Sequence, residues 1–394
     1  MRITYETHYK SKREDDRHTS SMAAHMAFLR DLKPKLAFSD KFTKEEFLTW
    51  KKDVRNKVNE LLLLPEFTKQ PEPKMISSVK RDTYTVEKWE FYPDDYTAVP
   101  FLMLIPDGVT KENPAPGVLC FPGSTYSKEF LAGEPMLENM GCRYVKYPER
   151  NRMALYMVQA GMVAFAFDPL EIAECGLEID KENWGYTRAQ LCHGYIQSGF
   201  CYPGISVFQK LVFMKFLKTL DFVDQKKIGV ASHSLGATDA VLLGLLCDDI
   251  SAVVFNDFIC DQRQRYCATT ESEEDFMRNN AGNWHEIPGL FQYFARPDLL
   301  SALAPLPLAL TEGGAQYFLD KIISAYNLCD AKDNLVISHY PKYKDEESRS
   351  KLYEPPLYGL TAEEYSLFCN CDAPDHSFRK EVSLDFFKRV FSLE

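Results

Sequence analysis

The stretch KKIGVASHSLGATDAVLLGLL, residues 226–246, decides the fold of this chain. Its apolar run at 228–231 predicts a buried parallel strand, and the Ala- and Leu-rich run at 237–246 predicts a helix. Only residues 232–236 separate the two. The sequence therefore predicts a strand, a sharp turn and a helix.

Ser234 is the residue that this turn would present. At a sharp strand-to-helix turn a serine is held on a strained backbone with its hydroxyl above the sheet, and small residues two positions to either side let strand and helix approach closely. Ser232 and Gly236 occupy those positions. The usual pattern, G-x-S-x-G, begins with glycine, so S-x-S-x-G by itself also fits an ordinary polar loop with a serine cap. The flanking strand and helix favour the elbow.

Composition limits the class of protein. The 394 residues suffice for one large domain with insertions or for two domains, and 45% hydrophobic with 26% charged residues is typical of a globular protein. The net charge of -11 argues against nucleic acid or an anionic membrane as partner. No apolar run is long enough for a transmembrane segment, and the first thirty residues are too polar for a signal peptide. We expect a cytoplasmic protein as the chain stands, or a periplasmic or secreted one if a leader has been removed.

The cysteines indicate structural roles. There are eleven, an odd number, and no C-x-x-C. Cys369 and Cys371 are the one close pair, and their spacing matches no common zinc pattern. The sequence therefore predicts no metal and no organic cofactor, and it leaves the oligomeric state open.

The chain divides into two predicted regions. Residues 1–75 are interpreted as an arm and a helical extension, in which Thr43 and Glu46 predict a capping box at a helix start. Residues 76–394 are interpreted as the catalytic domain. There, alternating segments predict two antiparallel strands, and short apolar segments predict parallel strands covered by helices on both faces. These apolar segments lie at 116–123, 161–169, 226–232, 250–257, 306–314 and 334–341. The predicted fold class is α/β, a mostly parallel doubly wound sheet with antiparallel first strands.

Two stretches, about 170–203 and 258–304, are longer than simple connections and are interpreted as lid-like insertions. Their aromatic side chains suit the wall of a sugar site and suit core packing equally well. They are Trp184, Tyr186, Trp284, Phe291 and Tyr293.

A serine hydroxyl needs a base and an acid that orients the base. His376 is the leading base, because it lies in a polar loop after the last predicted strand and before the last helix. The acid is expected at the carboxyl end of a late strand. Glu312 meets that condition best, Asp257 is the alternative acid, and Asp168 lies at the same edge of the sheet.

Acyl transfer also needs hydrogen-bond donors for the developing oxyanion. The backbone N–H of Leu235, next after the serine, is one predicted donor. The loop Phe121-Pro122-Gly123-Ser124-Thr125 follows the first parallel strand, and the N–H of Ser124 is the second. The plain interpretation, in which Pro-Gly merely ends a strand, stays open.

Several segments match a known family: VLCFPGS with a following Lys128-Glu129 pair, MALYMVQAGMVAFAFDP, KKIGVASHSLGA, VVFNDFICDQRQR, HEIPGLFQYFARPDLLSALAPLPLALTEGG and DHSF. Over about residues 84–393 the chain resembles the α/β-hydrolase superfamily. Within it, the chain resembles bacterial esterases of the acetyl xylan esterase and cephalosporin deacetylase group, including esterase-like proteins of glycan-use systems. The resemblance implies a Ser234 nucleophile, a His376 base and an oxyanion hole from the Ser124 and Leu235 amides. Many relatives have an aspartate where this chain has Gln316.

The predicted function is that of an enzyme, a serine carboxylesterase acting through an acyl-enzyme. The resemblance implies O-deacetylation of carbohydrate, with a small-molecule or glycan ester as substrate. A peptidase or a thioesterase on the same fold is one alternative. An inactive protein that binds a glycan or a partner is another, and Gln316 favours it.

Overall fold

The protein is represented by a computed structural model that describes residues 5–135, 148–177, 186–271 and 282–393. Within them the chain forms one sheet of nine strands in the order β1-β2-β3-β5-β4-β6-β7-β8-β9. The strands are β1 Lys74–Lys80, β2 Tyr84–Phe91, β3 Val99–Pro106, β4 Ala115–Phe121, β5 Val163–Phe167, β6 Val223–His233, β7 Ala252–Asn256, β8 Leu308–Leu310 and β9 Leu335–Ile337.

Helices precede the sheet and alternate with its parallel strands. In the described ranges they are α1 Ser21–Asp31, α2 Lys44–Leu62, α3 Lys128–Ala132, α4 Met153–Gln159, α5 Tyr186–Gln197, α6 Tyr202–Leu217, α7 Leu235–Leu246, α8 Gln262–Ala268, α9 Arg296–Ser301, α10 Gln316–Leu328, α11 Ala362–Phe368 and α12 Lys380–Phe391. In the part of the chain that the structure describes, no helix is both long and apolar enough to cross a membrane.

The predicted sheet is confirmed. The first strands pair antiparallel, β1 with β2, β2 with β3 and β3 with β5, and strands β4 to β9 pair parallel with one another. Strand β1 was not predicted. All seven of its residues are exposed, so it has no hydrophobic alternation, and its backbone pairing with β2 alone defines it.

Both faces of the sheet are covered, as continuous apolar strands require. In β4, Leu119 and Phe121 face one layer of the core, and Val118 and Cys120 face the other. Successive side chains of a strand point to opposite faces. One layer includes α2, α6 and α7, and the other includes α4 and α12.

Helix α2 packs into the same core as the sheet. Its capping box is confirmed, because the Glu46 N–H donates to Thr43 Oγ1 at 3.2 Å and the Thr43 N–H donates to Glu46 Oε2 at 2.7 Å. One face of α2 is buried through Phe47, Trp50, Val54, Val58 and Leu62. The predicted boundary near residue 75 stays a prediction.

A glycine lets α2 and α6 meet. A Cβ at Gly204 of α6 would collide with the backbone carbonyl oxygen of Leu62. We expect Gly204→Ala to lower the free energy of unfolding by about 1–3 kcal/mol, because the two helices must separate. Urea unfolding followed by circular dichroism measures this. Gly194→Ala is the matched control, since Gly194 of α5 has open space around its Cβ position and alanine favours a helix by up to about 1 kcal/mol. Equal effects of the two substitutions would contradict the prediction.

Candidate active site

The predicted elbow is present at Ser234. Strand β6 ends at His233 and α7 begins at Leu235. Between them Ser234 has φ 52° and ψ -113°, a conformation that costs a residue with a side chain about 1–3 kcal/mol and occurs mainly at functional sites. The Ser234 N–H donates to the Asn256 carbonyl at 3.0 Å. The serine is therefore held between the ends of β6 and β7.

Helix α7 starts against the end of β4. A Cβ at Gly236 would collide with the Phe121 carbonyl oxygen, and the Gly236 N–H donates to the Pro122 carbonyl at 3.0 Å. Ser232 replaces the usual first glycine of the elbow. It is fully buried and its Oγ donates to the Val254 carbonyl at 2.7 Å, so the small hydroxyl fits with its polar atom satisfied.

The two predicted oxyanion donors lie on segments that this contact brings together. Leu235 is the first residue of α7, so its N–H has no acceptor within the helix, and a helix N-terminus favours negative charge. Ser124 lies in the loop after β4, and Arg188 Nη1 of α5 donates to its carbonyl oxygen at 3.0 Å. Within the described part of the chain, neither of these N–H groups donates a loop or turn hydrogen bond to a backbone carbonyl.

The structure brings Glu312 and His376 together. Glu312, two residues after β8, is fully buried, and its Oε2 lies 2.6 Å from His376 Nδ1. Its Oε1 accepts from the Ser377 N–H at 3.2 Å and from Arg379 Nη2 at 3.4 Å. Glu312 thus bonds the imidazole through Nδ1, and Nε2 is the ring nitrogen on the side away from this carboxylate.

Asp257, the alternative acid, lies close to the same pair but has another partner. It follows β7, and its Oδ2 accepts from Arg296 Nη1 at 2.9 Å. Asp257, Glu312 and His376 each offer a possible metal-ligand atom, and these atoms lie within 4.8 Å of one another. Arg296 and Arg379 already neutralise the two carboxylates, an arrangement that suits proton transfer better than coordination of a cation.

Asp168, the third acid at this edge, has a structural partner. Its Oδ2 lies 2.9 Å from Lys128 Nζ, and its Oδ1 accepts from the Lys128 N–H at 2.7 Å. Both side chains are buried. Lys128 Nζ also contacts Glu129 at 2.9 Å and Glu174 at 2.6 Å. This network anchors the start of α3, just after the loop that carries Ser124.

His233 and Asn256 are site residues that sequence reasoning missed. The buried ring of His233 lies 4.5 Å, centroid to centroid, from the ring of His376. Asn256 Nδ2 donates to His233 Nδ1 at 3.0 Å and to the Ser377 carbonyl at 3.1 Å. Asn256 Oδ1 accepts from the Arg379 N–H at 2.8 Å. Asparagine at a strand end is also a common turn residue, so its sequence position carries no signal for this role.

The environment tunes the two histidines in opposite directions. Burial, with the nearby charges of His376 and Arg379, lowers the pKa of His233 well below its ordinary value, so this ring stays neutral. Burial also acts to lower the pKa of His376, but the charge and hydrogen bond of Glu312, with a contribution from Asp257, outweigh it and raise that pKa above 6.5. A base of raised pKa accepts a proton readily.

The aromatic side chains of the insertions have different surroundings. Trp284 lies under the Arg188 guanidinium, 4.2 Å from the ring centroid. Phe291 packs against the apolar cluster of α1 and α8, and Tyr293 lies against Lys35 and Lys57, so these two rings pack with the N-terminal segment. Trp184 and the side chain of Tyr186 lie outside the described residues.

Gln316 starts α10, where its Nε2 donates to Asp320 Oδ1 at 2.6 Å. It is Glu312 that bonds His376. The difference from relatives at position 316 therefore leaves the histidine with a carboxylate partner.

A mostly parallel sheet of this strand order, with a serine elbow after β6 and an acid after β8, defines the α/β-hydrolase class. The chain belongs to the Abhydrolase family, whose model matches residues 4–389. No protein of curated function matches the chain.

Solved structures agree with this assignment. A Bacteroides fragilis protein provisionally named an acetyl xylan esterase has a TM-score of 0.89 and 32% identity, over 97% of this chain and 98% of its own. A methylesterase has a TM-score of 0.59 and 17% identity, over 94% of this chain and 68% of its own. A glucuronoyl esterase from Solibacter usitatus has a TM-score of 0.53 and 13% identity, over 87% and 93%. The last two share the fold. The family and the first relative indicate an esterase of the α/β-hydrolase class.

The two acids are distinguished by mutation. We expect Glu312→Gln to lower kcat on the order of 10⁴-fold, because the imidazole loses its orienting carboxylate. Asp257→Asn is expected to have a smaller effect, because its hydrogen bond goes to Arg296. Steady-state ester hydrolysis measures both. The reverse ranking would assign the orienting role to Asp257.

The pH dependence follows from the raised pKa of His376. A base works unprotonated, so kcat/KM is expected to increase with pH as His376 loses its proton. The apparent pKa of this increase should lie above 6.5. Asp257→Asn is expected to move this acid limb to lower pH, because it removes a charge that favours the protonated ring. Asp248→Asn is the matched control, since Asp248 is exposed and pairs with Arg55. A limb at or below 6.5, the ordinary pKa of histidine, or equal shifts in the two variants would contradict this account.

Proposed function

We propose that the protein is a serine carboxylesterase whose triad is Ser234, His376 and Glu312. The observation that carries the proposal is the 2.6 Å contact between His376 Nδ1 and the buried Glu312 carboxylate. The ring of His376 lies 4.5 Å, centroid to centroid, from the ring of His233, the neighbour of the strained serine. A nucleophile, a base and an orienting acid are the parts that acyl transfer requires.

The proposed reaction has two halves. Ser234 Oγ attacks the ester carbonyl while His376 Nε2 takes its proton, and the N–H groups of Leu235 and Ser124 stabilise the oxyanion. His376 then returns the proton to the leaving alcohol, which departs and leaves an acyl-enzyme. In the second half, His376 activates a water molecule that releases the acid and restores the serine. Glu312 stabilises the imidazolium that forms in each half.

We further propose that the substrate is a carbohydrate ester and that the group removed is an acetyl group. The support is the 32% identity, over nearly the whole of both chains, to the protein provisionally named an acetyl xylan esterase. Identity at this level over nearly the whole length of two chains favours a related class of substrate.

The first test is hydrolysis of 4-nitrophenyl acetate together with labelling by a fluorophosphonate probe. We expect the wild type to turn over and to label, and Ser234→Ala to do neither, because the probe reacts with an activated serine. Ser366→Ala is the matched control, since its Oγ bonds the Ala362 carbonyl on α11, and it should label like the wild type. Turnover by Ser234→Ala would contradict the serine mechanism. A folded wild type that neither labels nor turns over would favour a binding protein.

A further inference from the structure

The short helical turn Asn283–His285 in the second insertion has an unusual set of polar atoms. Asn283 Oδ1, Trp284 Nε1 and His285 Nδ1 are each buried, and none has a hydrogen-bond partner within the described residues. Buried polar atoms are nearly always paired, and an exception calls for an explanation. Three unpaired atoms on successive residues indicate a site that forms hydrogen bonds to a ligand.

The turn Asn283–His285 lies near the loop after β4 that carries Ser124. The Arg188 guanidinium stacks on the Trp284 ring at 4.2 Å, and the same guanidinium donates to the Ser124 carbonyl at 3.0 Å. Trp284 also packs against the apolar cluster that includes Leu235, the residue after the proposed nucleophile. A single arginine thus joins the turn to one proposed oxyanion donor, and apolar packing joins it to the other.

His285 lines a mostly apolar cleft near the start of α7. The cleft is lined by α7, β7 and α9, and its polar side chains include Thr238, Gln262, His285 and Arg296. Thr238 is four residues after the proposed nucleophile, one turn further along the same face of α7. Arg296 is the partner of Asp257. The cleft that His285 lines is therefore linked through Arg296 to Asp257 and through Thr238 to the start of α7.

We propose that the turn Asn283–His285 binds the hydroxyl groups of the sugar that carries the ester. This inference rests on the proposed esterase function. Asn283 Oδ1 can only accept a hydrogen bond, and Trp284 Nε1 can only donate one. A hydroxyl group does both, so neighbouring hydroxyls of one sugar ring would satisfy the two atoms together.

Other ligand classes fit these atoms less well. A carboxylate or a phosphate only accepts hydrogen bonds, so it would leave Asn283 Oδ1 unpaired. An ester whose apolar alcohol part has no free hydroxyl would leave all three atoms unpaired. Burial, with the charges of Arg296, Arg188 and Arg265, lowers the pKa of His285 to about 3. Its imidazole is therefore neutral, and one ring nitrogen donates while the other accepts, which also suits a hydroxyl group.

The test compares an acetyl ester carried on a sugar with an acetyl ester that contains no sugar. Trp284→Phe keeps an aromatic ring and removes the indole N–H. We expect it to lower, by about tenfold, the ratio of kcat/KM on acetylated xylo-oligosaccharides to kcat/KM on 4-nitrophenyl acetate. Asn283→Ala should lower the same ratio. Trp89→Phe is the matched control, because Trp89 Nε1 on β2 donates to Glu87 Oε2 at 2.8 Å, and it should leave the ratio unchanged.

Thermal unfolding separates ligand binding from a structural role. Both substitutions lose packing, but Trp284 Nε1 has no partner within the described residues, so Trp284→Phe should lower the Tm of the free protein less than Trp89→Phe, which also loses a hydrogen bond. If Trp284→Phe lowers the Tm as much as Trp89→Phe does and lowers kcat/KM equally on both esters, Trp284 has a packing role and the inference is wrong.

Two further outcomes distinguish this inference from the proposed function. If the wild type hydrolyses 4-nitrophenyl acetate through Ser234 but none of a panel of acetylated xylose-, mannose- and uronate-containing oligosaccharides, the sugar subsite is wrong and the esterase stands. If Ser234→Ala retains hydrolysis of 4-nitrophenyl acetate, the proposed function is wrong, and the inference that rests on it is wrong too.

Discussion

The N-terminus of α7 meets the end of β4 so closely that position 236 has no room for a side chain. This contact sets the strained backbone of Ser234, which the Asn256 carbonyl holds from the neighbouring strand. It also brings the loop that carries Ser124 beside the first N–H of α7. The proposed nucleophile and both proposed oxyanion donors therefore depend on one backbone approach, and strain of this kind persists only where the surrounding core overdetermines it.

Buried charges at the same edge of the sheet separate the roles of three acids. Asp168 neutralises Lys128 and anchors the start of α3. Asp257 pairs with Arg296, and Glu312 pairs with His376 while Arg379 supports it from the other side. A buried carboxylate is costly unless it is paired, so each acid has a specific cation. The choice of partner decides which acid can orient the imidazole.

Much of the fold was predictable because its signals are local. Apolar runs predicted strands β4 to β9, and Thr43 with Glu46 predicted the start of α2. Strand β1 was missed because all of its side chains are exposed. Its partner β2, paired from Lys80 with Thr85 near the turn to Lys74 with Glu90 at the far end, supplies hydrogen bonds that no single-strand pattern reveals. Phe291 and Tyr293 pack against the N-terminal segment. These contacts join residues far apart in the sequence, so local patterns did not predict them.

By itself the sequence determined the elbow at Ser234, the α/β class and the short set of candidate bases and acids, because turn chemistry and hydrophobic periodicity act over a few residues. Only the tertiary structure decided that Glu312 bonds His376, that Asp257 goes to Arg296, and that His233 lies against His376. It also placed Arg188 of one insertion in contact with both Ser124 and Trp284 of the other insertion. Such contacts join residues that are tens to hundreds of positions apart, and they depend on where parallel strands end in space rather than on any pattern along the chain.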